Sequence, residues 1–173
     1  LGTLALNLNT TGNNNVAIGK DALLANTTAS NNVAIGLDAA TANTTGAENV
    51  AIGQNAFAAN TTGGQNVAIG GGALDANTTA SNNTAVGYAS LGANTTGDRN
   101  VAIGYGAADA GDVASRNSVL GYNALGADTK GSRTVAMGYG AVQTQNFTTA
   151  TDAYNVGVGY NALGANTTGT QNT

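Results

Sequence analysis

Asn15-Val16-Ala17-Ile18-Gly19 returns as Asn32-Val33-Ala34-Ile35-Gly36, Asn49-Val50-Ala51-Ile52-Gly53 and Asn66-Val67-Ala68-Ile69-Gly70. The glycine marks the period. Gly2, Gly19, Gly36, Gly53, Gly70, Gly87, Gly104, Gly121 and Gly138 are separated by eight equal steps of 17 residues. Gly159 follows after 21, so one copy carries four extra residues, which fall within 143–154. The unit reads N-V-A-I-G-x-x-A-L-x-A-N-T-T-G-x-x.

The period selects the architecture. Helix-pair repeats need roughly 33 to 47 residues and propeller blades about 40 or more. Gly, Asn and Thr are also spread too densely for helices. Seventeen residues suffice for one solenoid coil. Val16-Ala17-Ile18 is β-rich and ends at a glycine suited to a tight turn. Residues 22–25 are the expected second strand, and Asn26-Thr27-Thr28 through Asn31 the wider turn. The prediction is an all-β parallel β-solenoid or β-roll, a single repeat domain over 1–173, with about ten coils of 17 residues and two short strands per coil.

Side chains alternate across a strand, so Val16 and Ile18 share one face and Ala17 takes the other. Assigning the larger residues inward gives a thin core. Its members are Val16, Ile18, Val33, Ile35, Val50, Ile52, Val67, Ile69, Val101 and Ile103, opposed by Leu23, Phe57, Leu74, Leu91, Leu125 and Leu163. Two alanine columns, one through Ala17, Ala34 and Ala51 and one through Ala22, Ala39 and Ala56, are then expected outside. Small residues there suit close approach of another copy of the chain, or simply a flat stack.

Asn15, Asn32, Asn49, Asn66, Asn83, Asn100 and Asn117 form one column, expected to be an amide ladder. A second column, Asn26, Asn43, Asn60, Asn77 and Asn94, also matches the N-x-T glycosylation pattern. Glycans one coil apart would clash, which favours a second ladder. Tyr88, Tyr105, Tyr122, Tyr139 and Tyr160 each follow the repeat glycine, where earlier copies have Lys20, Leu37, Gln54 and Gly71. They make an exposed stripe that could bind sugar rings or a neighbouring chain, or could stabilise turns. The paired threonines admit ice binding as a third reading.

Composition narrows the function. Only five residues are basic, nine are acidic and the net charge is −4, so phosphate neutralisation and anionic membranes have no basic cluster to use. No apolar run is long enough for a membrane-spanning helix. With no His and no Cys, the common nucleophile–base pairs and soft metal sites cannot be built. The expectation is a non-enzymatic protein without catalytic or metal residues and without a cofactor. The chain starts at Leu1 and shows no signal peptide, which reads as a fragment or processed product.

The N-V-A-I-G motif resembles the repeats of YadA-like heads in trimeric autotransporter adhesins. The whole unit, N-T-T-G-x-x-N-V-A-I-G-x-x-A-L, resembles repeats of phage tail-fibre-like proteins still more closely. The resemblance covers nearly all of the chain and implies a left-handed β-roll that trimerises and binds host surfaces. The functional expectation is a structural and adhesive extracellular rod, at a cell surface or on a virion. It would self-associate as a homotrimer or, alternatively, as a head-to-tail filament, and could take a host-surface or glycan ligand.

Overall fold

A computed structural model describes residues 2–173. The chain is an all-β solenoid of stacked 17-residue coils. Its strands are β1 (Val16–Ile18), β2 (Val33–Ile35), β3 (Val50–Ile52), β4 (Val67–Ile69), β5 (Thr84–Val86), β6 (Val101–Ile103), β7 (Ser118–Leu120), β8 (Gly131–Ser132), β9 (Val135–Met137), β10 (Thr151–Asp152) and β11 (Val156–Val158). Nine of them form one parallel sheet in the order β1-β2-β3-β4-β5-β6-β7-β9-β11. Nine rungs enclose eight complete turns, rather than about ten coils. Register is strict, with Val16 opposite Val33, Ala17 opposite Ala34 and Ile18 opposite Ile35. Across the longer coil Val135 meets Val156, so the sheet absorbs the insertion without slipping. The small pair β8–β10 lies beside that insertion.

The predicted second strand at residues 22–25 is instead a run of tight turns. N–H groups there alternate between two uses. Ala22, Leu24 and Asn26 donate back within the run to Gly19, Asp21 and Leu23, while Leu23 and Ala25 donate to Ala39 and Thr41 of the next coil. Such turns place every second residue at positive φ: Asp21 at 58° and Leu23 at 51°. The column beginning at Asp21 continues with Asp38, Asn55, Gly72, Ala89, Gly106, Asn123, Gly140 and Asn161, mostly residue types that tolerate this conformation. The Leu23 column tolerates it because burial holds it there: Leu23, Phe57, Leu74, Leu91 and Leu125 are all buried. Leu163 is partly buried against the same core.

The strand faces are the reverse of the expectation. Ala17, Ala34, Ala51, Ala68, Ala85, Ala102 and Ala136 are buried. Val16, Ile18, Val33, Ile35, Val50, Ile52, Val67, Ile69, Val101 and Ile103 point outward and are half-buried to exposed. The reason is volume. A 17-residue coil closes on a narrow interior, and with Leu23 or Phe57 projecting from the turn run a small side chain fits opposite; Val119 is the one larger residue buried in that column. The alanine columns are therefore core, and their expected role as an outer contact surface falls.

Candidate interaction surface

The interior is sealed by polar columns as well as by alanine. Asn32, Asn49, Asn66, Asn83, Asn100 and Asn117 are buried, and Asn15 is partly so. Their ladder runs through the backbone. The Asn15 side-chain oxygen accepts the Asn32 backbone N–H at 2.9 Å, and its amide donates to the Ala29 carbonyl at 2.8 Å. The same pair of bonds repeats at Asn32, Asn49, Asn66, Asn83 and Asn100. The second column is a true amide-to-amide ladder. Asn43 donates to Asn26, Asn60 to Asn43, Asn77 to Asn60 and Asn94 to Asn77. These asparagines are fully buried, so their N-x-T triplets are structural.

With alanine and asparagine inside, the outward face of the sheet is a strip of two parallel apolar columns. One runs from Val16 to Val156 and the other from Ile18 to Val158. Val16 is 44% exposed, Ile18 46%, Val101 42% and Ile103 39%. No charged residue interrupts either column; the departures are Thr84 and Ser118 in the first. At about 4.8 Å per rung the strip is about 40 Å long. Sequence reasoning missed it by placing these residues inside.

The bare glycine column borders the strip. A Cβ on Gly53 would fall 2.6 Å from the Gly70 carbonyl oxygen, and its φ is 134°, so no side chain can stand there. Beyond it the tyrosines come together as the sequence predicts, in a continuous stack. Ring centroids from Tyr88 to Tyr105, Tyr122, Tyr139 and Tyr160 are 5.4, 5.1, 5.1 and 5.3 Å apart, with interplanar angles of 17° or less. Each interior ring gives both faces to its neighbours. Solvent sees edges and hydroxyls, which leaves only the two terminal faces for stacking on a sugar.

The remaining polar features are local. Asp75 and Asp109 both have carboxyls raised above the usual range by burial, and Asp109 adds like-charge repulsion at Asp75. Asp21 pairs with Lys20 at 3.4 Å. Around the insertion, Arg133 pairs with Asp152 and lies over the Tyr154 ring, 5.4 Å from its centroid. The Thr27 hydroxyl donates to the Thr44 carbonyl, which leaves Thr28 as the exposed member of the pair. Comparison with family models, curated proteins and solved structures returned no match.

Proposed function

We propose that this chain is a non-enzymatic structural rod whose Val/Ile face packs against further copies of itself. In this reading it forms the shaft or head of an extracellular fibre of the adhesin or tail-fibre kind. The observation that carries the proposal is the uncharged strip from Val16 and Ile18 to Val156 and Val158. A contiguous apolar surface of that extent is the usual mark of an interface. Three copies with these strips turned inward would bury them around a common axis, which agrees with the trimer implied by the repeat's resemblance.

Mass measurement in solution tests the idea. The wild-type chain should sediment as a trimer, and Val50→Asp combined with Ile52→Asp should yield folded monomers with unchanged β circular dichroism. A wild-type monomer at tens of micromolar would sink the proposal. Indefinite fibres in electron micrographs would favour the head-to-tail alternative. The ice-binding reading gains nothing here, because the paired threonines do not form two outward hydroxyl columns.

A further inference from the structure

We propose that Arg99 and Arg116 of one copy donate hydrogen bonds to the Tyr105 and Tyr122 hydroxyls of the next, which fixes neighbouring copies parallel and level with one another. The inference rests on the self-association through the Val/Ile face proposed above and adds what sets its direction and register.

The two flanks of the strip carry matched residues. The chain has three arginines, and all three fall in one column, two residues before the outward valine column. Each shares its rung with a tyrosine six residues on: Arg99 with Tyr105, Arg116 with Tyr122 and Arg133 with Tyr139. The four rungs from β1 to β4 lack the tyrosine and carry Asn14, Asn31, Glu48 and Gln65 in place of the arginine. Alternation about the buried Asn100 sets Arg99 on the outward side with Val101. Within one copy the strip stands between the two columns, so a contact inside the chain does not account for the match.

Arg133 is engaged in its own chain by Asp152 and the Tyr154 ring. Arg99 and Arg116 are exposed and have no ion-pair partner among the described residues. One rung, about 4.8 Å, separates these like charges, so acceptors for both are favoured. The tyrosine stack offers them. Its faces are taken up by neighbouring rings, but its hydroxyl oxygens accept, and a guanidinium carries five donors and no acceptor. Copies packed strip to strip about an axis parallel to the rod bring the arginine flank of one against the tyrosine flank of the next, rung for rung. Antiparallel packing would set arginine against arginine and tyrosine against tyrosine, with the rungs reversed.

The test is a set of double-mutant cycles on the dissociation of the trimer, followed by sedimentation against concentration, with urea added to bring half-dissociation into the micromolar range. Tyr105→Phe and Tyr122→Phe keep the ring stack and remove only the hydroxyl. An unchanged β circular dichroism spectrum shows that each variant keeps the solenoid. Arg99→Ala, Arg116→Ala and each Phe variant should raise the concentration of half-dissociation about threefold, because a trimer loses three copies of the contact. The matched doubles, Arg99→Ala with Tyr105→Phe and Arg116→Ala with Tyr122→Phe, should be no weaker than their singles. The crossed doubles, Arg99→Ala with Tyr122→Phe and Arg116→Ala with Tyr105→Phe, should show the product, about ninefold.

A trimer in which the matched doubles also multiply, or the crossed doubles couple instead, would overturn the contact and leave the Val/Ile interface standing. Arginine variants that associate like wild type would do the same and leave the column to some other partner. A monomeric wild type would remove both readings.

Discussion

The Gln145 amide nitrogen stands 3.1 Å from the Thr134 hydroxyl, and the two together replace an asparagine of the first ladder. Thr134 occupies the column position between Asn117 and Asn155, and its backbone N–H still donates to Asn117 at 2.8 Å. Its short side chain cannot reach on to the next coil. Gln145 does so, donating to Asp128 at 2.7 Å and accepting from Asn155 at 2.6 Å. The polar interior thus stays continuous through the coil that carries the extra residues.

Replacing Gln145 by Leu should therefore be costly. It leaves Asp128, Thr134 and Asn155 short of partners inside the rod. A loss of about 3 kcal/mol is expected from the buried polar groups left unpaired. The denaturant midpoint measures it, and an unchanged midpoint would refute this role.

The narrow interior gives a second expectation. Ala51→Leu should destabilise the rod by about 2 kcal/mol, because the added atoms have no room. Val50→Thr, which copies the natural Thr84, should cost less than about 1 kcal/mol. Were the valine the core residue, thermal melts would rank the two the other way.

How much of this could be read from the sequence is clearest at those two residues. The period, the strand and the asparagine columns are legible because identical spacing forces identical environment. The choice of inner face was less direct. Hydrophobicity favours burying Val50 and Ile52. Yet alternation places Asn49 and Ala51 on one face, and a buried asparagine ladder already commits Ala51 to the inside. The turn run was also marked, by the Asp, Asn and Gly types in the column that starts at Asp21, and it was hidden by the apolar residues between them. For the tyrosines the alignment was plain, but the sequence does not show that stacked rings consume one another's faces.

A break in the second ladder offers a stabilising change. Gly111 replaces the asparagine after Asn94, whose side-chain oxygen is buried without a partner among the described residues. A Cβ at Gly111 would meet nothing closer than 3.3 Å. Gly111→Asn should donate to Asn94 and raise stability by about 1 kcal/mol. A lower melting temperature would show that the site cannot take the amide.

Ser90 interrupts an alanine column and buries a hydroxyl with no partner. Ser90→Ala should gain about 1 kcal/mol for the same reason, read from the same melts.

The Asp75–Asp109 pair predicts a pH effect. A carboxyl whose folded pKa is raised makes the folded state bind its proton more readily, so stability falls as pH rises through the carboxylate range. Asp75→Asn should be slightly more stable than wild type at pH 7, by at most about 0.5 kcal/mol at these largely solvated sites. The difference should vanish below the ordinary carboxylate pKa. A variant less stable at neutral pH would contradict the sign.

Almost every bond that leaves a coil ends on the coil one period away. Length is therefore a free parameter of the design. Duplicating or deleting whole units in the gene would extend or shorten the molecule without new contacts having to be invented. An insertion that is not a whole unit is tolerated where, as between Val135 and Val156, the strands on either side of it still meet in register.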